Sequence, residues 1–159
     1  MTEPQTKLWI HAIVATRGGR QLITTALESR LQNFFHDVLI QVGCPLRIAN
    51  GMADHVHLLF LLHPRRSVGD VMRRMKGQSS RWINQNHLSI QKFAWEPGFT
   101  AFSVSESQVQ KVYDYIINQK EHHLHESFEE EHRHIISLHN LVPLSGADND
   151  TPIRASDHA

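Results

Sequence analysis

The segment at residues 55–62 is the feature of this sequence that most restricts its fold. It reads His-Val-His-Leu-Leu-Phe-Leu-Leu and is bounded by Asp54 and Pro64, as expected of a buried β-strand. Side chains alternate between the two faces of a strand, so His55 and His57 project from one face and Val56 from the other, into apolar packing. The two imidazoles are close enough to hold one metal ion, although a histidine pair on a polar strand surface has the same pattern.

Apolar periodicity and turn residues place the other elements. The predicted strands are at 8–16, 45–50 and 99–104, and the predicted helices are at about 24–42, 70–86 and 105–124. Thr24 or Thr25 and Ser67 are available as N-caps, and the spacing from Ser105 to Gln108 matches a capping box. The order β-α-β-β-α-β-α predicts an α+β fold, a ferredoxin-like (RRM-like) β-α-β-β-α-β sandwich with an antiparallel sheet plus a C-terminal helix.

Composition indicates an ordinary globular protein. Of 159 residues, 40% are hydrophobic and 20% charged, which favours a single domain over residues 1–142. The small, polar segment at 143–159 is expected to be a disordered tail. The sequence has no apolar run long enough to cross a bilayer and no signal-peptide pattern at its N-terminus, and its one cysteine, Cys44, excludes an internal disulfide framework. We therefore expect a cytoplasmic protein without a membrane partner.

Charge is balanced overall but uneven along the chain. Sixteen basic and sixteen acidic residues cancel, so any nucleic-acid site must be a local patch. The segment at 121–131 has five glutamates and neither lysine nor arginine. The segment at 65–81 has one acidic residue and six basic ones, namely Arg65, Arg66, Arg73, Arg74, Lys76 and Arg81. These six, called the basic set below, would suit a polyanion, but a solvated helix face has the same pattern.

The last predicted helix carries two tyrosines that face different ways. Its apolar stripe consists of Val109, Val112, Tyr113, Ile116 and Ile117. Tyr115 lies off this stripe, on the polar side, and Gln119 is one turn further along the same face. An ordinary half-exposed helix tyrosine would have the same pattern.

A second group of histidines follows this helix, at positions 122, 123, 125, 132 and 134. A zinc site is one interpretation, because helical histidines three residues apart can share a metal ion. No cysteine accompanies them and their spacing fits no standard zinc module, so a solvated helix and turn surface is favoured.

Taken in order, these motifs resemble the single-tyrosine HUH (His-hydrophobic-His) transposases of small bacterial insertion sequences, the insertion-sequence-200/605 type. The motifs are the histidine pair at 55 and 57, the segments at 67–81 and 95–108, and Tyr-Ile-Ile-Asn-Gln from residue 115 onward. The resemblance spans roughly Trp9 to Leu141. Related transposases associated with repetitive palindromes tend to carry Asn-Pro where this chain has Asn118-Gln119, which favours the insertion-sequence branch.

The resemblance implies a ferredoxin-like homodimer that cuts and rejoins single-stranded DNA with subterminal hairpins. It implies that His55, His57 and Gln119 ligate a divalent metal ion, Mg²⁺ or Mn²⁺. Tyr115 is then the nucleophile on a C-terminal catalytic helix and forms a 5′-phosphotyrosine. The basic set is the candidate for contacts with the DNA backbone. No residue in the sequence is an evident general base.

Two other functions stay open at this point. One is a non-catalytic, domesticated protein of the same fold that binds single-stranded nucleic-acid hairpins. RRM-like sheets often bind RNA through aromatic residues on the sheet face, and the strand at 55–62 lacks that signature. The other is a metal-binding protein that uses the C-terminal histidines.

Overall fold

A computed structural model describes residues 2–139 of the chain. The strands are β1 (Trp9–Ala15), β2 (Leu46–Gly51), β3 (His55–Leu61) and β4 (Thr100–Val104). The α-helices are α1 (Thr25–Gln41), α2 (Val68–Gln85), α3 (Val109–Ile117), α4 (Gln119–His122) and α5 (Phe128–Leu138), and the 3₁₀ turns are Arg17–Gly19 and Glu106–Gln108. The predicted tail at 143–159 lies outside the described residues. Within those residues, no helix combines the length and the apolarity that a membrane crossing requires.

The four strands form one sheet in the order β2-β3-β1-β4, and every neighbouring pair is antiparallel. The helices α1 and α2 connect strands that are not neighbours, so the sheet has the split β-α-β topology. This confirms the predicted ferredoxin-like α+β sandwich.

The sheet separates a large apolar core from the face that carries the histidine pair. Val56, Leu58 and Phe60 of β3 are buried in the core cluster together with residues of α1 and α2. Residues on the other face of the strands alternate with these, and Leu59 belongs to a smaller cluster beneath α3. His55 and His57 therefore lie on the sheet face opposite α1 and α2.

The first two helices begin where their capping residues predict. The side-chain oxygen of Thr24 accepts a hydrogen bond from the backbone N–H of Leu27, and that of Ser67 accepts one from Asp70. Gly43, with a φ of 73°, follows the end of α1, in the left-handed region that favours glycine.

The predicted continuous helix at 105–124 is wrong. The chain instead forms the 3₁₀ turn, α3 and α4, with a break at Asn118, and Ser105 makes no side-chain cap hydrogen bond. The amide Nδ2 of Asn50 on β2 donates to the carbonyl oxygens of Ile116, at 2.9 Å, and of Ile117, at 3.2 Å. A partner on another element therefore caps the end of α3 and fixes this helix to the sheet.

Helix α5 begins in the acidic segment, continues beyond it to Leu138, and is not among the predicted helices. It begins with a capping box, in which the Ser127 side chain accepts from the Glu130 N–H and the Glu130 side chain accepts from the Ser127 N–H. Three glutamates occupy its first turn, where the helix dipole favours negative charge. The helix crosses the sheet towards β4, where His132 Nε2 lies 2.8 Å from Thr100 Oγ1. Helix α5 thus covers the histidine-bearing face beside α3.

Candidate metal centre and nucleophile

The two histidines of β3 are held at the start of the strand by a tight connection from β2. The backbone N–H of Met52 donates to the carbonyl oxygen of His55 at 3.0 Å. A Cβ on Gly51 would lie 2.1 Å from that same oxygen, so only glycine fits at this close approach. Both His55 and His57 are fully buried, with 0% exposure.

Each of these histidines has its Nδ1 atom tied to a neighbouring side chain. His55 Nδ1 lies 2.7 Å from Asp54 Oδ1, and His57 Nδ1 lies 2.9 Å from Nε2 of His11 on β1. Both rings therefore turn their Nε2 atoms towards the space beneath α3 and α5, the arrangement found for metal-ligating histidines.

The amide of Gln119 and the carboxylate of Glu131 meet the two Nε2 atoms. Gln119 Oε1 lies 3.0 Å from His55 Nε2, and Gln119 Nε2 donates to Glu131 Oε1 at 2.8 Å. The carboxylate oxygens of Glu131 lie 3.4 Å from His55 Nε2 and 3.2 Å from His57 Nε2. The structure therefore brings together His55, His57 and Gln119, the three ligands implied by the resemblance, and adds a carboxylate.

Glu131 is the site residue that sequence reasoning missed. It belongs to the acidic segment at 121–131, which carries no predicted role, yet it is 1% exposed. The Ser127–Glu130 capping box could have revealed it, because that box starts a helix with Glu131, Ile135 and Ile136 at helical spacing.

The donor set fits a divalent metal ion. One ligand atom each from His55, His57 and Glu131 lie within 4.8 Å of one another. His57 Nε2 is buried and has no hydrogen-bond partner, since its 3.2 Å approach to Glu131 lacks hydrogen-bond geometry. His55 has oxygen atoms facing both of its nitrogens. A neutral imidazole carries one proton, so the second nitrogen needs another proton or a metal ion between it and the oxygen it faces. Two imidazoles, a carboxylate and an amide oxygen suit Mn²⁺ at least as well as Mg²⁺.

The hydroxyl of Tyr115 also contacts the Glu131 carboxylate. It donates a short hydrogen bond to Glu131 Oε1, and its ring lies 5.8 Å from the ring of His57. Tyr115 is thus half-buried against the histidine-bearing face, whereas the sequence placed it on the polar side of its helix. Ile117, predicted in the apolar stripe, is 49% exposed. Helix α5, which is not among the predicted helices, carries Glu131 and covers the side of α3 on which Tyr115 lies.

Burial and the neighbouring side chains shift the pKa values of Tyr115 and Glu131 in opposite directions. Burial, and then the Glu131 carboxylate, raise the pKa of Tyr115 well above its usual value. Burial opposes ionisation of Glu131, but the imidazoles of His55 and His57 beside it outweigh that effect and hold the pKa of that carboxyl far below its usual range. A neutral phenol therefore faces a permanently ionised carboxylate, and an isolated Tyr115 is a weak nucleophile that needs an activated target.

The C-terminal histidines divide between the site and the surface. His123, predicted as solvated, has its Nε2 2.6 Å from Glu131 Oε2 and its Nδ1 2.8 Å from the carbonyl oxygen of Glu126. The prediction fails here because the chain reverses between α4 and α5 and folds His123 inward. His125 and His134 are exposed, as predicted.

The basic set does not lie at the candidate metal centre. Its members lie on α2 and the loop before it, on the other side of the sheet, and Arg65, Arg73, Arg74 and Arg81 are exposed while Arg66 is half-buried. Lys76 differs from the prediction, because it is 8% exposed and its ammonium donates to the Gly98 carbonyl at 2.8 Å. Lys76 is therefore engaged inside the protein, and the surface patch consists of the arginines.

Comparison with known proteins gives a consistent result. A family model described as IS200-like transposase matches residues 4–119. The ISDra2 transposase TnpA of Deinococcus radiodurans is 25% identical over 118 residues, covering 71% of this chain and 84% of that protein. A crystal structure of a Deinococcus radiodurans protein assigned as a transposase has a TM-score of 0.59 at 29% identity and covers 75% of this chain and 98% of that one. A REP-associated tyrosine transposase bound to a REP hairpin shares the fold, with a TM-score of 0.57 at 17% identity, covering 98% of this chain and 96% of that one.

Proposed function

Because this chain belongs to the IS200-like transposase family, we propose that it cleaves and rejoins single-stranded DNA at insertion-sequence ends through a 5′-phosphotyrosine intermediate. The observation that carries the proposal is the convergence of four side chains. The Tyr115 hydroxyl, the Gln119 amide and the Nε2 atoms of His55 and His57 all surround the Glu131 carboxylate. A nucleophile beside a candidate metal centre is the arrangement that phosphoryl transfer requires.

Four side chains of this site would hold the metal ion. His55 and His57, through Nε2, and Gln119, through Oε1, would hold a divalent ion, Mg²⁺ or Mn²⁺, and Glu131 would add the carboxylate that the sequence did not predict. A divalent ion bound there supplies Lewis-acid polarisation of a phosphodiester oxygen. Asp54 holds the ring of His55 in place by accepting from its Nδ1.

Tyr115 performs the covalent step. Its phenolic oxygen forms a bond to phosphorus as the bond from phosphorus to the 3′ oxygen breaks, which leaves a 5′-phosphotyrosine and a free 3′-hydroxyl. The phenolic proton is transferred, overall, to that 3′ oxygen. Attack of a 3′-hydroxyl on the phosphotyrosine reverses these bond changes and rejoins a strand, so neither ATP nor hydrolysis is needed.

The proposed partners are single-stranded DNA with subterminal hairpins and a second copy of this chain. The REP-associated transposase of the same fold is bound to a hairpin, which is in keeping with a hairpin partner here. The exposed arginines of the basic set are our candidates for contacts with the DNA backbone, and affinity that depends on them should fall as salt rises.

The test uses a labelled single-stranded oligonucleotide that carries the element's own end and hairpin. It is incubated with Mn²⁺, with Mg²⁺ or with chelator. We expect a covalent protein–DNA band from wild type and from the Tyr113→Phe control that requires metal, and no band from Tyr115→Phe, which keeps the ring but lacks the nucleophilic oxygen. Tyr113 is the matched control because it is on the same helix, where its ring lies 4.6 Å from the Arg47 guanidinium.

Three results would contradict the proposal. A band that persists in Tyr115→Phe and disappears in Tyr113→Phe would make Tyr113 the nucleophile. A band that forms in chelator would remove the metal ion from the mechanism. Hairpin binding without any band would favour the non-catalytic binding protein of the same fold.

A further inference from the structure

Another buried histidine lies behind His57 at the candidate metal centre. His11 of β1 is 2% exposed and lies on the same sheet face as His57. Its Nε2 atom is 2.9 Å from His57 Nδ1. Nothing in the resemblance to the family motifs assigns this residue a role, because it precedes the histidine pair by more than a whole helix and strand.

The hydrogen bond between the two rings links the position of the proton on His57 to that on His11. A neutral imidazole carries one proton, on Nδ1 or on Nε2. If His57 Nε2 is to present a lone pair to a metal ion, the proton of His57 must be on Nδ1. His57 Nδ1–H then donates to His11 Nε2, and the proton of His11 is on its own Nδ1, which is buried without a hydrogen-bond partner.

The packing around His11 holds it in this orientation. Its ring meets the ring of Phe102 edge-on, with 4.6 Å between centroids. On the adjacent strand, Asp54 accepts from His55 Nδ1 in the corresponding way. The two ligand histidines therefore each have an acceptor behind them, a carboxylate for one and an imidazole for the other.

We propose that His11 is a positioning residue of the metal centre, whose Nε2 accepts the Nδ1 proton of His57 and so turns the His57 Nε2 lone pair towards the metal ion. This inference rests on the proposed function. Outer partners of ligand histidines are typically worth 10- to 100-fold in metal affinity. His11 does not touch the DNA or the metal ion in this role.

The experiment compares Mn²⁺ binding by calorimetry for the full chain and three variants. His11→Phe keeps the ring volume and removes the acceptor, and we expect Mn²⁺ to bind 10- to 100-fold more weakly. His11→Gln places an oxygen close to the position of Nε2, and we expect it to recover most of that loss. Ile13→Val is the packing control, since Ile13 is buried on the same strand directly across from His57, and we expect wild-type affinity.

A second readout does not depend on metal. Two-bond ¹H–¹⁵N spectra of the metal-free protein report which nitrogen of His57 carries the proton. We expect the proton on Nδ1 in wild type and in His11→Gln, and a mixture of both forms in His11→Phe. Thermal unfolding of each variant establishes that it is folded under the conditions used.

The outcomes separate this inference from the proposed function. Wild-type affinity in folded His11→Phe, or equal losses in folded His11→Phe and His11→Gln, would overturn the role of His11 as a hydrogen-bond acceptor. A His57 proton on Nε2 in wild type would also overturn it. If wild type binds no Mn²⁺, the proposed metal centre fails, and the spectra still decide whether His11 sets the proton of His57.

Discussion

A carboxylate at the centre of the site changes what two histidines and an amide can bind. Glu131 Oε1 accepts from both Tyr115 and Gln119, and Oε2 lies 2.6 Å from His123 Nε2. A metal ion bound by imidazoles and an amide alone would have no anionic protein ligand, whereas Glu131 supplies one negative charge. The family model ends at residue 119, so this carboxylate comes from the part of the chain that follows the matched region.

Replacing Glu131 with glutamine tests whether the carboxylate supports the metal ion. We expect Glu131→Gln to bind Mn²⁺ at least about tenfold more weakly, because the anionic ligand is lost while the shape is kept. The covalent DNA adduct should form more slowly and recover in part at high Mn²⁺. Calorimetry and adduct gels measure these effects. Glu129→Gln is the matched control, because Glu129 is an exposed carboxylate on the same turn of α5.

Faster formation of the covalent adduct by Glu131→Gln would point to a different role for the carboxylate. If Glu131→Gln binds Mn²⁺ as wild type does and forms adduct faster, the carboxylate occupies the place of the scissile phosphate and obstructs cleavage. The two possibilities predict changes of rate in opposite directions, so one variant distinguishes them.

The elements themselves show which parts of the fold could be predicted from sequence. The strands follow from alternation and from β-branched or apolar runs, and α1 and α2 from local periodicity with a capping residue at each start. The break at Asn118 follows from Asn50, a contact between residues far apart in sequence, so no local pattern contains it. The resemblance to the family motifs implies the proposed nucleophile and the three proposed ligands, whereas Glu131 and His123 reach the site only through the reversal between α4 and α5.

Helix α5 covers the candidate site, so the proposed DNA substrate would have to displace part of this helix. His55, His57 and Gln119 have 0% exposure, so a phosphodiester cannot reach them in this conformation. The ring of Phe128, at the start of α5, stacks on the ring of His55 with centroids 4.1 Å apart. Opening of α5 at its N-terminal end would therefore uncover His55 first.

Weakening the start of α5 should open the site more often. Ser127→Ala removes both hydrogen bonds of the Ser127 hydroxyl with Glu130, which costs about 1 kcal/mol for an N-cap. If α5 opens as a unit, the open population rises about fivefold. Amide hydrogen exchange of α5 should accelerate by that factor. The matched control is Ser137→Ala, at an exposed position near the other end of the helix, and equal exchange in both variants would contradict the prediction.

At the scale of the whole molecule, the sheet lies between the large apolar core and the candidate site. One face packs on α1 and α2 in the apolar core, and the other carries buried titratable groups beneath α3 and α5. A native protein is only marginally stable, so a few buried ionisable groups can change the pH dependence of unfolding measurably. The apolar core contributes no such dependence, whereas the buried histidines on the other face do.

The metal-free protein should be most stable near pH 6.5. Burial lowers the pKa of His11 and of His57 below the ordinary value of 6.5, so the unfolded chain takes up more protons below that pH. As pH falls below 6.5, the free energy of unfolding should therefore decrease by about 1.4 kcal/mol per pH unit for each histidine that takes up a proton only on unfolding. For His55, burial opposes protonation, but hydrogen bonds to Asp54, Glu131 and Gln119 raise its pKa above 6.5. Its contribution is complete below pH 6.5 and is lost as pH rises through that raised pKa.

Urea unfolding in chelator across pH 4.5 to 9 would measure this profile. His57→Phe should flatten the decline below pH 6.5 by about 1.4 kcal/mol per pH unit, because one of the uncharged buried histidines is removed. His36→Gln is the surface control, since the side chain of His36 is 53% exposed. Asp54→Asn should reduce the decline above pH 6.5, because it removes the carboxylate that favours protonated His55. A profile that rises steadily with pH through 6.5 to 9 would show that His55 is not held protonated by its neighbours in the folded protein.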